Sequence, residues 1–200
     1  MEPDERRAAI LRAARELFSR HAYAAVSVAD IAGAAGVSPP LVVFYYGTKR
    51  ALYLAVVDSA SETLRAGLRE VPGPPSLERL AASVRFYAEY ARTHRTGFLS
   101  FVRSSHERAL PEAAVAADRL RTEVAARILA DLAATRESPA PSDATLAVAV
   151  RGYLGYVDAA ITHWLALPAE QREQVSTDTI ADLAVGAFTG CLAAVNPPMP

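Results

Sequence analysis

Residues 27–52 read Ser-Val-Ala-Asp-Ile-Ala-Gly-Ala-Ala-Gly-Val-Ser-Pro-Pro-Leu-Val-Val-Phe-Tyr-Tyr-Gly-Thr-Lys-Arg-Ala-Leu, and their spacing predicts two short helices joined by a tight turn. Ser27 stands where a hydroxyl caps the first helix, and Asp30, three residues on, stands where a carboxylate reaches back to the cap N–H: a capping box with Asp in place of Glu. Val28, Ile31, Ala32 and Ala35 then share one face, Gly36 supplies the positive φ that reverses the chain, and Ser38 is the expected cap of the second helix. This is the outline of a helix-turn-helix, which lays its second helix in the major groove of DNA.

Working upstream, residues 6–23 place Ile10, Ala14, Leu17 and Phe18 on one stripe, with Arg7, Arg12, Arg15 and Arg20 largely off it, so a third helix packs against the pair. In this order, Ala13, Ala14, Leu17, Phe18, Tyr23, Ser27, Val28, Ile31, Ala32, Ala35, Gly36, Val37, Ser38, Tyr45, Tyr46, Gly47, Thr48, Lys49 and Leu52 match the pattern of the TetR family of bacterial transcription regulators. The first quarter of the chain therefore resembles that family; beyond residue 55 only length and helical character agree. It departs at Ala22, where the family has Gly, at Val26, where it has Thr, and at Pro39-Pro40, where it has a polar-Gly pair.

The resemblance implies that Pro39, Pro40, Leu41, Val43 and Phe44 face the major groove. None of these side chains carries a hydrogen-bond donor or acceptor, so direct readout through bidentate bonds is closed to them. Apolar contact with thymine methyl groups and readout of DNA shape are what remain, and a thymine-containing operator is expected. Ser27 and Ser38 at helix N-termini, the Tyr45 hydroxyl and Lys49, the chain's one lysine, are the expected phosphate contacts.

The 200 residues, 52% of them hydrophobic, suffice for this unit and a larger helical domain. The overall charge of −1 is not that of a strongly basic nucleic-acid binder, but residues 1–50 hold seven basic and five acidic side chains, leaving −3 for the rest. One cysteine, Cys191, excludes an internal disulfide and fits a reducing cytoplasm. Residues 2–7 do not read as a secretory signal, and apolar stretches such as 51–57 fall short of the ~20 residues a bilayer span needs, so no membrane partner is expected.

Punctuation by Pro, Gly and caps predicts further helices at 49–70, 76–93, 97–108, 111–136, 143–167 and 177–195. The expected fold is all-α with about nine helices: an N-terminal three-helix DNA-binding domain over 1–47, then a larger ligand-binding and dimerisation domain over 48–200. In the last two long helices Gly152, Gly155, Gly186, Ala187, Gly190, Cys191 and Ala194 permit close backbone approach, and a glycine inside a helix costs about 1 kcal/mol relative to alanine, so a packing need is expected. Packing within the chain is one account. The resemblance implies the other, a four-helix bundle with a second subunit, which would set two reading helices about 34 Å apart.

The resemblance also implies a small-molecule pocket in the middle helices. Phe86, Tyr87, Tyr90, Phe98, Phe101, His106, Tyr153, Tyr156 and Asp158 are its candidate lining for a mostly apolar effector, although an ordinary helical core presents the same rings. Asp158, in a nearly uncharged stretch from Gly152 to Pro168, must face solvent, pair with a base, or bind something. The four histidines show no metal-ligand spacing and no nucleophile motif occurs, so neither enzyme, metal nor cofactor is expected. The implied function is a homodimeric repressor of a bacterial cytoplasm, bound to a palindromic double-stranded operator and released by an effector. The rival is a helical small-molecule-binding or scaffolding dimer without operator recognition.

Overall fold

The structure is a computed structural model and describes residues 2–106, 111–135 and 143–195. Among them lie ten α-helices and no strand: α1 (Pro3–Arg20), α2 (Val28–Ala35), α3 (Pro39–Tyr46), α4 (Lys49–Glu70), α5 (Leu77–Thr93), α6 (Arg95–His106), α7 (Pro111–Thr135), α8 (Asp143–Ala166), α9 (Ala169–Glu173) and α10 (Thr177–Val195). The tenth, beyond the nine expected, is α9, a single turn inside the polar run after Pro168. It is pinned from outside its own sequence, by the Trp164 indole N–H donating to the Arg172 carbonyl at 3.1 Å and the Arg172 guanidinium donating to the Leu167 carbonyl at 3.1 Å.

The chain forms two compact units. The first comprises residues 1–63 and 93–117, so α6 and the start of α7 belong with the three N-terminal helices. Its core gathers Ile10, Ala13, Ala14, Phe18, Val26, Ile31, Ala32, Val42, Leu52, Tyr53 and Val57, each large side chain contributing about 1.5–3 kcal/mol by leaving water. Tyr53 meets Phe18 edge-on at 5.0 Å and Tyr23 at 4.9 Å, locking α4 to α1 and to the turn at Tyr23–Ala25. Gly97 closes the unit: a Cβ there would sit 2.9 Å from both the Phe18 carbonyl oxygen and Ser19 Cα, so only glycine lets α6 lie on the end of α1.

The second unit comprises residues 64–92 and 118–200. Ala81, Val84, Ala88 and Ala91 of α5, Val150, Tyr153, Val157, Ile161, Trp164 and Leu165 of α8, and Ile180, Ala181, Ala184 and Phe188 of α10 are buried. Phe86 packs its ring end into the space where a Cβ of Gly67 would be, 2.0 Å from the ring's Cζ. Helix α7 is held differently. Among its residues whose burial is described none is fully buried, and beside half-buried apolar side chains a row of polar contacts holds it: Glu123 to Arg65 at 2.5 Å, the Arg127 guanidinium to the Leu68 carbonyl at 3.2 Å, Asp131 to Arg79 at 3.7 Å, Arg121 to Asp158 at 2.5 Å, and Asp118 to Arg151.

The premise that the apolar stretches are too short needs correction, though not the expectation itself. By length and composition Ala144–Ala166 and Thr177–Val195 are both apolar enough to cross a bilayer, and only 28% and 22% of their most apolar windows is buried. The shortness of 51–57 therefore does not decide the matter; among the described residues, an apolar face on α8 and α10 stands uncovered.

Candidate nucleic-acid interface

Helices α2 and α3 meet at 101°, the geometry of a helix-turn-helix. The capping box forms as read: Ser27 Oγ accepts the Asp30 N–H at 3.1 Å, while Asp30 Oδ2 accepts the Ser27 N–H at 2.8 Å and its hydroxyl at 2.6 Å. The bonds from the Ser27 hydroxyl and N–H hold Asp30 below the usual carboxylate range. Gly36 closes α2 at φ 66°, and the Val37 N–H reaches back to the Ala32 carbonyl at 3.0 Å.

Helix α3 begins otherwise than expected. Ser38 occupies the cap position, but its side chain makes no cap bond. Pro39 and Pro40 have no N–H to offer, and the next two, of Leu41 and Val42, both donate to the Ser38 carbonyl at 3.0 and 3.4 Å. What this end can give a phosphate is therefore the Ser38 hydroxyl and its own N–H, rather than a cluster of helix N–H groups. Val42 alone of α3 is buried and seats the helix. Val43 and Phe44 point outward, 49% and 79% exposed, with Phe44 edge-on to Tyr45 at 5.3 Å. Pro39 and Pro40 are exposed beside them; Leu41 and Tyr45 are half-buried.

Two supporting contacts were invisible in the sequence because they join distant residues. The Tyr46 hydroxyl donates to the Arg7 carbonyl at 2.9 Å, with the Arg7 guanidinium 5.6 Å from the ring centroid, tying α3 to α1. Lys49 lays its ammonium 4.2 Å over the Tyr23 ring; burial pulls its pKa down and nearby Asp30 partly offsets this. At the start of α4 the Thr48 hydroxyl accepts the Ala51 N–H at 3.0 Å, as its sequence position suggests.

The candidate effector residues are distributed over both units. In the second unit, the Tyr87 hydroxyl of α5 donates to Asp158 of α8 at 2.9 Å and Arg121 of α7 donates to the other carboxylate oxygen at 2.5 Å, so of the three fates open to Asp158 the structure shows pairing with a base. Burial first, then the Asp158 charge and hydrogen bond, raise the Tyr87 pKa well above its usual value. Tyr153 is 2% exposed, its hydroxyl has no hydrogen-bond partner among the described residues, and its ring meets Phe188 at 5.0 Å. Tyr90 is half-buried, the Phe86 ring is taken up against Gly67, and Tyr156 is exposed on the outer side of α8. Phe98 is half-buried in the first unit; the side chains of Phe101 and His106 lie outside the described residues.

Gly152, Gly155, Gly186 and Gly190 all face open space, with nothing within 4 Å of a Cβ built on them. Packing within the described chain is thus not what these glycines serve. Val148, Tyr156 and Leu183 are exposed on the same two helices, with Ala194 exposed and Ala187 and Cys191 half-buried.

A right-angled helix pair presenting its second helix beside hydroxyl and ammonium groups, built on a bundle of long helices, defines a helix-turn-helix regulator. The family model for bacterial regulatory proteins of the tetR family matches residues 10–56, and that for the tetracyclin repressor-like C-terminal domain matches residues 77–186. The chain belongs to the TetR family of transcriptional regulators. A TetR-family regulator from Streptomyces coelicolor superposes with a TM-score of 0.83 at 28% identity, over 98% of this chain and 83% of that one, and Salmonella enterica GusR shares the fold at 0.73 and 22%, over 96% and 97%. The transcriptional activator FasR of Mycolicibacterium smegmatis is 33% identical over 97 residues, 48% of this chain and 44% of FasR. EthR of the same organism is 42% identical over 55 residues, 28% of this chain and 25% of EthR, so the chain spans less than half of either curated relative.

Proposed function

We propose that this regulator acts in the cytoplasm as a homodimeric repressor, that each subunit reads one half of a palindromic operator with α3, and that a small, mostly apolar molecule releases it. The observation that carries the reading is the exposed apolar edge of α3, Pro39, Pro40, Val43 and Phe44, set at 101° to α2 and flanked by Ser27, Ser38, Tyr45 and Lys49. Carbon without hydrogen-bonding groups reads thymine methyls and groove shape, while the hydroxyls and the ammonium hold the phosphates. The uncovered face of α8 and α10, with its open glycines, supports the second copy.

Helix α4 begins at the reader's exit and runs from the first unit into the second, giving effector binding a route to the spacing of the two α3 helices. The effector need only prefer the conformation that does not fit DNA; a coupling of about 1–3 kcal/mol is typical. The functional division at 47/48 belongs to this reading. FasR is named an activator, so the sign for this chain is left to the reporter measurement. Selection of duplexes from a random library, followed by mobility shift and a reporter carrying the selected site, tests the proposal. Repression through a thymine-bearing palindrome is expected; absent or sequence-independent binding favours the non-operator helical dimer, and rising transcription overturns the repressor sign.

A further inference from the structure

Asp158 is a short carboxylate on α8 in a stretch, Gly152 to Pro168, with no other Asp or Glu and no Lys or Arg; the other titratable side chains there are Tyr153, Tyr156 and His163. Its two oxygens have one donor each, the Tyr87 hydroxyl at 2.9 Å and Arg121 Nε at 2.5 Å. The two donors differ in kind. Tyr87 stands on α5, whose apolar face is buried, and its hydroxyl fixes the carboxylate in place. Arg121 stands on α7, none of whose residues with described burial is fully buried: Leu120, Val124, Ile128, Leu129 and Leu132 are half-buried, and ion pairs along the helix add to them. Asp158 keeps 23% of its side-chain surface and, being short, cannot move far from where α8 holds it; Arg121, with a long flexible stem, keeps 37% and can withdraw outward. A half-buried carboxylate deprived of its cation is strongly destabilised, whereas a guanidinium released to solvent is not. The carboxylate is therefore the fixed partner and the cation the exchangeable one. An anionic ligand would need the reverse, Arg121 held fast and Asp158 free to leave.

We propose, resting on the effector-released reading above, that the effector is an organic cation: an apolar body bearing one ammonium, amidinium or guanidinium group that takes the place of Arg121 on Asp158. Arg121 is then an internal stand-in for the ligand. The Tyr87 ring beside the carboxylate, with Tyr90 one turn along α5, adds a surface on which a cation is favoured. Displacing Arg121 also undoes one of the charge contacts that hold α7.

The test uses the full chain with Arg121→Met, which keeps the stem and vacates the carboxylate. Thermal shift and titration calorimetry are run with phenethylammonium and benzamidinium against phenylacetate, benzoate and neutral benzamide, all at one ionic strength. The cations alone are expected to raise Tm, binding at least about tenfold tighter to Arg121→Met than to the wild-type chain because the tethered guanidinium no longer competes. The gain is expected to vanish in Arg121→Met/Asp158→Asn. Should Arg121→Met not fold, Arg121→Gln carries the same comparison. Equal effects of neutral or anionic probes, no effect of any probe, or cation binding that survives Asp158→Asn overturns the proposal. Mobility shift on the selected operator without probe is a separate readout, whose failure counts against the regulator reading and leaves only the binding of a cation at Asp158 standing.

Discussion

Helix α3 and the α8–α10 pair both leave carbon in contact with water, with opposite residue sizes. Helix α3 is eight residues long and projects a phenyl ring and a valine from a tightly cored unit, among hydroxyls and an ammonium. Helices α8 and α10 run 24 and 19 residues and expose glycines with no described atom within 4 Å of a Cβ built on them, bordered by Val148, Tyr156 and Leu183. Large side chains on a short, steep helix suit entry into a groove. Small ones along two long helices suit backbone-close contact over a broad area, which a second long helical surface provides. On the proposed function, the contrast separates a face suited to a polyanion from one suited to a second copy of the chain.

The strongest way to break this contrast is Gly186→Glu. If the α8–α10 face meets a second copy, the symmetric interface buries two new carboxylates, and the dimer dissociation constant is expected to rise by about 100-fold or more. The monomer has open space at that position and keeps its helical content. Sedimentation velocity reads the result, and an unchanged mass would remove the face from the interface. Next is Phe44→Ser, for which operator affinity should fall about 10–100-fold per half-site while stability stays within roughly 0.5 kcal/mol, the ring being 79% exposed. Replacing thymidine by deoxyuridine in the selected operator should weaken the wild-type chain and leave Phe44→Ser unaffected; the opposite pattern would take base contact away from the ring.

Two smaller effects sharpen the comparison. Alanine is the better helix former by about 1 kcal/mol, so Gly152→Ala should stabilise the separated monomer, whereas Gly97→Ala should destabilise by about 1–3 kcal/mol because its Cβ meets the backbone of α1. Urea unfolding of both variants distinguishes a glycine serving the chain from one serving a partner. Ser27→Ala should cost about 1 kcal/mol through the lost cap of α2. The Asp30 pKa is depressed in the folded state, so its contribution is present above the unfolded value near 4 and lost as pH falls through the lower folded value. Asp30→Asn should flatten that acid limb in a pH series of thermal unfolding.

How far the sequence was legible follows from the range of each interaction. The α2 capping box and the Gly36 reversal are written within a few residues, and both form at the residues read. The bounds of α4 and α10 likewise follow local caps and breakers. Ser38 shows where a local rule stops: the hydroxyl is in place, but the two prolines after it remove donors a cap helix usually offers. The Tyr46–Arg7 tie, the Lys49–Tyr23 contact, the Gly97 approach to α1 and the Arg121 partner of Asp158 join residues far apart in sequence, and no periodicity announces them. Among the site residues, the apolar character of Pro39, Pro40, Val43 and Phe44 was readable directly; their exposure needed the fold, as did the exposure of Tyr156 and the packing of Phe86 against Gly67.

Pro39 and Pro40 have one more consequence, in the chain before it folds. Their rings hold φ near −65° in the disordered polypeptide too, so the first turn of α3 has fewer shapes to abandon when it forms. On the proposed function, the peg α3 would offer to the groove is pre-shaped and stiff at its tip, and a duplex of the wrong contour has little chance of being met halfway.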